Sequence, residues 1–153
     1  KINVLIISIL LFFQILFPFR NLMYSGELFW NEEGYRFSWR VMLIEKMGYT
    51  TFRVVDSQSD KRILVENSNF LTDFQIKQMS FQPDMILEYA HFLGDYYKKR
   101  GFIEPKVFAD SYVTLNGRES QRFIDSNVNL LEEKDSFKKK NWIIPLKDEI
   151  KGI

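Results

Sequence analysis

The sequence predicts an α+β chain: an N-terminal membrane-crossing helix, then a small antiparallel β-sheet domain built as meander, helix and β-hairpin. Three observations predict it. Residues 2–19 carry no charge. Residues 83–100 repeat apolar side chains every three or four positions, the period of a helix with one buried face. The stretches on either side of that block alternate apolar and polar residues with period two, as half-buried strands do.

The apolar run Ile2 to Phe19 is broken by Asn3, Gln14 and Pro18, and Arg20 ends it with a charge suited to the headgroup level. As a helix it spans ~27 Å, just short of the ~30 Å hydrocarbon core. The chain starts with Lys1 rather than Met, so this run is expected to be the last helix of a larger membrane domain. A signal peptide is the first competing reading, but no A-x-A cleavage site follows. A buried globular helix is the second, but no face of the run is polar. The expected division is a membrane helix over 1–20, an aromatic interfacial loop over 21–39, an α+β extracytoplasmic domain over 40–146, and the start of a further segment over 147–153.

Trp39 to Lys46 alternates, with Trp39, Val41 and Leu43 on one face and Arg40, Met42 and Ile44 on the other, which predicts a strand. Met47-Gly48 is the expected turn, Thr50 to Asp56 a second strand, Ser57 to Asp60 a polar turn, and Arg62 to Val65 a third strand. Leu71 to Met79 is a short helix or irregular turn. Pro83 suits the first turn of the next helix, where its missing N–H does no harm. Met85, Ile86, Tyr89, Leu93, Tyr96 and Tyr97 form the apolar stripe of that helix, and Gly101 suits the position just past its end. After Pro105 the period returns to two: Val107, Ala109, Ser111, Val113 and Leu115 share one face. Asn116-Gly117 predicts a type I′ turn, with Arg118 to Ile124 as the returning strand. The apolar group Trp142 to Leu146 is expected to dock back on the domain.

Composition narrows the chemistry. Net charge is +1, which argues against nucleic acid as a partner. Cysteine is absent and histidine occurs once, which removes thiol catalysis, disulfides and His- or Cys-based metal clusters. No P-loop, G-x-G-x-x-G, H-E-x-x-H or G-x-S-x-G is present. His91 is either a packed side chain or an acid–base group. Glu32 and Glu33 are placed to pair with Arg36 or Arg40 and order the loop, or to serve binding or catalysis. Lys138 to Lys140 is either a solvated face or a contact for anionic lipid.

Residues 24–42, YSGELFWNEEGYRFSWRVM, concentrate aromatics directly after the apolar run. Exposed aromatics need a partner surface. One reading is an aromatic belt at the bilayer surface. The other is a substrate pocket at the lipid–water boundary, with Trp30, Tyr35, Phe37 and Trp39 as walls and Tyr35, Arg36 and Ser38 orienting a polar group.

The stretch GELFWNEEGYRFSWRVM (26–42) resembles the region just after the last membrane helix of the vitamin K-dependent gamma-carboxylase family, especially its bacterial members. The resemblance runs on through EPKVFADSYVTLN (104–116), QRFID (121–125) and NWIIPL (141–146), and so spans about residues 10 to 146. It implies an integral membrane carbon–carbon lyase. Such an enzyme oxidises vitamin K hydroquinone, or a related quinol, with O2 to an epoxide and uses the base so generated to carboxylate peptidyl glutamate with CO2. The quinol and the lysine that deprotonates it are expected in the preceding membrane domain, so the resemblance places no catalytic residue and no metal in this chain, and this chain alone is expected to be inactive. It implies a glutamate-binding role for Gly26, Trp30, Gly34, Phe37, Ser38 and Trp39, a glutamate-containing peptide or protein as substrate partner, and contact with membrane lipid. Animal members carry an aromatic and two amides where this chain has Glu27-Leu28-Phe29. The alternative function is a non-catalytic peptide-binding or structural cap domain of a membrane protein.

Overall fold

A computed structural model of the chain describes residues 2–40 and 43–147. Helix α1 (Ile2–Leu16) continues as a 3-10 helix over Phe17–Met23. Together they form one apolar rod, Ile2–Met23, of mean hydropathy 2.4, long and apolar enough to cross a membrane. All its α-helical side chains face outward, as expected of a segment whose solvent is lipid.

The domain is a four-stranded antiparallel sheet in the order β2-β1-β3-β4, with helices packed on one face. Its strands are β1 (Lys46–Asp56), β2 (Arg62–Val65), β3 (Pro105–Leu115) and β4 (Gln121–Arg122). The long pair β1–β3 runs in register from Lys46 opposite Leu115 to Asp56 opposite Pro105. Phe52, Val54, Val107, Ala109, Val113 and Leu115 point into the core, while Tyr49, Arg53, Asp110 and Tyr112 face outward. The period-two reading of β3 is correct residue for residue.

The meander differs from expectation. No strand occupies 39–45 among the described residues, Lys46 opens β1, and Val41 and Met42 of that expected strand lie outside them, as do 148–153 of the expected further segment. Met47-Gly48 is not a turn but lies inside β1. The glycine is needed for space: a Cβ on Gly48 would sit 2.5 Å from the Ser80 carbonyl oxygen and 2.9 Å from a Val113 methyl. The returning strand is also shorter than Arg118 to Ile124. Phe123 N–H still donates to the Ser111 carbonyl of β3 (2.8 Å), and from there the chain pairs with its own tail, through Ile144 N–H to the Phe123 carbonyl (2.9 Å) and an Ile124–Ile143 bridge. The 142–146 segment thereby docks as expected, with Trp142 and Ile143 buried.

The helical block forms as α3 (Asp73–Met79) and α4 (Pro83–Lys98). Thr72 and Gln75 make a reciprocal capping box at the start of α3. Gly101, at φ +96°, closes the end of α4. Gly101 N–H donates to Lys98 O and Phe102 N–H to Tyr97 O, and the Tyr97 and Phe102 rings pack 5.3 Å apart, a Schellman motif. Ile86, Leu87, Tyr89, Ala90 and Leu93 face the sheet, whereas Met85, assigned to the stripe, is exposed at the edge. His91 is a packing residue: its Nε2 lies 2.9 Å from the Glu133 carbonyl oxygen, tying α4 to the 130–133 turn. Asn116 and Gly117 sit at φ 50° and 74°, as a type I′ turn requires.

Asp56 ends β1 and locks the following turn. Its carboxylate accepts from Ser59 Oγ at 2.6 Å and Glu104 N–H at 3.0 Å. These donors, Ser59 foremost, hold its pKa below the usual carboxylate value. A depressed carboxylate adds stability that is present above the unfolded-state pKa and lost as pH falls through the folded one. Wild type is therefore expected to lose stability progressively below about pH 4, and Asp56→Asn to be weaker at neutral pH with a shallower acid limb. Urea unfolding across that range measures both. An unchanged acid limb in Asp56→Asn would discard this account.

Candidate functional site

The aromatic segment folds back beneath the domain as a chain of tight turns. Gly26 turns at φ +106°. Glu27 then caps a single helical turn, α2 (Leu28–Asn31), its carboxylate accepting from Phe29 N–H at 3.3 Å. The acid that departs from the animal pattern is thus spent on a cap. Glu32 ends the turn in the left-handed region at φ 58°. Gly34, at φ +75°, passes so close to Asn21 that a Cβ would lie 2.8 Å from its Cα.

The six residues singled out in the sequence are not gathered in one place. Trp30 is 1% exposed, packs edge-on against Phe123 at 5.0 Å, and donates Nε1–H to the Ile144 carbonyl at 2.7 Å. Its setting is the core. The Ser38 hydroxyl is buried and donates to the Tyr35 carbonyl. Gly26 borders a shallow depression beside Asn21, Leu22 and Arg40. Gly34 lines a polar cleft. Phe37 and Trp39, 74% and 71% exposed, line an apolar groove against the membrane helix with Leu10, Phe13, Gln14, Phe17 and Pro18.

The polar cleft encloses about 230 Å³ between the helix exit, α2, the start of α4 and the 135–140 loop. Arg20, Tyr24, Gly34, Asp135, Phe137 and Lys138 are among its lining residues. Every acid on its wall is satisfied. Glu32 pairs not with Arg36 or Arg40 but with Lys46, at 2.8 Å. Glu33 accepts from Asn31 Nδ2 at 3.1 Å and from Lys140 N–H. Asp84 pairs with Arg36, and Asp135 with the Lys140 ammonium at 3.0 Å. Lys46 is buried; desolvation pulls its pKa below the ordinary value, against the opposing pull of Glu32. Arg20, Arg36, Lys138 and Lys140 stand against Glu32, Glu33, Asp84 and Asp135 on the wall, four charges of each sign. Arg20 stacks over the Phe17 ring at 4.3 Å, and its buried Nε has no hydrogen-bond acceptor. Among the described residues neither Arg20 nor Lys138 has a carboxylate partner. Arg20 and Lys138 are the two cations of this half-enclosed cleft with donors to offer an anion, while the Glu33 carboxylate is held by N–H groups alone.

Arg20, Lys138 and Asp84 were not picked out as cleft residues from the sequence. Arg20 carried a signal, as the first charge after the apolar run. Lys138 stood out only as part of the 138–140 cationic run, and Asp84 carried no signal. Among the described residues no group of three or more His, Cys, Asp or Glu side chains is arranged to hold a metal ion.

The family model described as vitamin K-dependent gamma-carboxylase, lumenal domain, matches residues 1–149. The chain belongs to the vitamin K-dependent gamma-carboxylase family. What it contributes is that family's lumenal domain, joined to a helix able to cross a membrane. No solved structure matches the chain. In this gamma-carboxylase domain the Glu32–Lys46 pair and the Trp30–Ile144 bond tie the aromatic segment to the sheet. The cleft and the groove therefore hold fixed positions relative to the domain.

Proposed function

We propose that this chain is the C-terminal portion of a membrane gamma-glutamyl carboxylase-like enzyme. In this reading it faces the extracytoplasmic side, and its polar cleft seats the glutamate side chain of a peptide or protein substrate. One observation carries the reading: the Arg20 guanidinium, with a buried Nε that lacks an acceptor, borders a cleft whose acids are all paired. A glutamate carboxylate held by Arg20 and Lys138 completes that set. Orientation is the domain's contribution, since the γ-carbon must be presented to a base generated beside it.

The quinol, when bound, supplies that base through its oxidation by O2, and the resulting carbanion takes up CO2. These co-substrates belong in this reading to the membrane domain. The apolar groove offers Gln14 as its polar member and no titratable group, so it does not serve as the site of quinol deprotonation. Exclusion of water around the carbanion is needed because so weak a carbon acid would otherwise be reprotonated.

The test is Arg20→Met in the full-length enzyme. Losing a charge-assisted hydrogen bond of ~2 kcal/mol raises KM for a glutamate-bearing peptide by about 30-fold. Arg20→Lys recovers part of the loss, and the thermal midpoint stays close to wild type. Unchanged KM in both Arg20→Met and Lys138→Ala would remove the cleft from the reading.

A further inference from the structure

We infer that residues 37–39 form a lipid-inserted tip that seats the domain in the outer edge of the bilayer, with phospholipid acyl chains filling the groove between the tip and the membrane helix. Leu10, Phe13 and Phe17 precede Arg20 on the rod, yet they share a groove with Phe37 and Trp39. Leu10 lies seven positions before Phe17, about 10 Å down a helix axis. The chain leaves the rod at Met23 and then comes back down beside it, past the charge that marks the polar boundary. The Phe17 and Phe37 rings meet at 5.9 Å, and Arg20 sits 6.0 Å from the Phe37 ring, at the upper rim of the groove.

Two further observations fit lipid as the occupant. Phe37 and Trp39 both adopt left-handed backbone, at φ 63° and 58°, which bulky residues rarely tolerate. The strain turns two large aromatic side chains outward, where water would penalise them and hydrocarbon would not. Between them Ser38 turns inward, and its N–H and hydroxyl both bond the Tyr35 carbonyl. Those are internal partners of the kind that backbone at membrane depth needs. The apolar surface of Phe37 and Trp39 is continuous with the exposed apolar side chains Leu10, Phe13 and Phe17 of the helix. This removes Phe37 and Trp39 from a water-facing peptide site and leaves the polar cleft to the substrate.

The chain carries its own probe. Of its three tryptophans, Trp30 and Trp142 are buried in the core, and Trp39 is exposed. The chain is reconstituted in phosphatidylcholine vesicles with bromines on the upper acyl chain. Quenching is expected to remove roughly a third of the tryptophan emission, the share of one residue in three. Bromines near the acyl terminus remove less. Trp39→Phe, which preserves ring packing, abolishes the loss. Quenching of Trp39 by aqueous iodide instead of bromolipid would overturn the proposal. So would bromolipid quenching that persists in Trp39→Phe. Protection of Trp39 from both quenchers would also overturn it, by placing polypeptide rather than lipid in the groove.

Discussion

Trp30→Ala is expected to cost about 3–5 kcal/mol of stability, the range for emptying a large aromatic site in a packed core. The residue fills the junction of three chain segments: its own helical turn, the Phe123 bend and the returning tail. Truncation opens a cavity there and strands the Ile144 carbonyl, which loses its Nε1–H donor. Against a typical domain stability of about 5–15 kcal/mol, that removes a third or more of the total for a domain of average stability and unfolds a large fraction of molecules at the low end of the range. Trp30→Phe keeps most of the packing and loses the hydrogen bond, at about 1–2 kcal/mol. Trp39→Ala, on an exposed side chain, stays within about 0.5 kcal/mol. Urea unfolding midpoints in detergent rank the three. A Trp30→Ala variant as stable as wild type would show that the core assignment is wrong. The ranking also matters for reading activity data, because activity lost in Trp30→Ala reports a destabilised domain rather than a missing substrate contact.

The second large effect belongs to Lys46. Its ammonium is buried and donates to the Trp30 carbonyl at 2.7 Å and to Glu32 at 2.8 Å, and it lies 4.5 Å from the Phe123 ring centre. Lys46→Met leaves both acceptors without their donor. The expected loss is about 3 kcal/mol, the low end for breaking a buried pair, because Glu32 keeps some contact with water. Lys46→Met with Glu32→Gln is expected to cost less than the sum of the single changes, since no lone charge is left behind. Full additivity would mean that the pair is not coupled.

The pH dependence has a definite sign. Desolvation lowers the Lys46 pKa in the folded protein, so the unfolded chain binds the proton more tightly. Stability then rises with pH from the folded pKa up to the ordinary lysine value of 10.5. Lys46→Met should lose that alkaline rise. Its persistence in the variant would assign it to another group.

Local rules made much of the chain legible. The type I′ turn at Asn116-Gly117, the start of α4 at Pro83 and its close at Gly101 each depend on the φ of one or two residues and on hydrogen bonds within a few positions. The alternation along β3 needed no partner to be read, because a strand with one buried face imposes period two on its own sequence. The helix over the apolar run Ile2 to Phe19 was legible from composition alone, although the structure carries it on to Met23, into the segment expected as loop. Gly48 shows where such rules stop. A glycine after a methionine carries the same local signal in a turn as in a strand, and the Ser80 carbonyl that decides between them comes from another element.

The candidate site was legible as a region and not as a set of contacts. The sequence marked residues 24–39 as the place where aromatic density meets the membrane boundary, and family resemblance assigned the region a role. It did not reveal that Trp30 turns inward while Trp39 turns out, since both follow Gly residues in an irregular segment without a period to sort faces.

The order of amino acids by itself determined an apolar helix long enough to cross a membrane, the α+β class, the ends of α4 and the hairpin. Those follow from interactions within a few residues or from patterns repeated along one element. Tertiary structure alone decided which charges are spent and which are free. Glu32 finds Lys46, Asp84 finds Arg36 and Asp135 finds Lys140, so among the described residues Arg20 has no carboxylate partner at the cleft. Coulombic pairing and desolvation depend on distance through space, and folding brings these groups together across stretches of chain that carry no trace of the pairing.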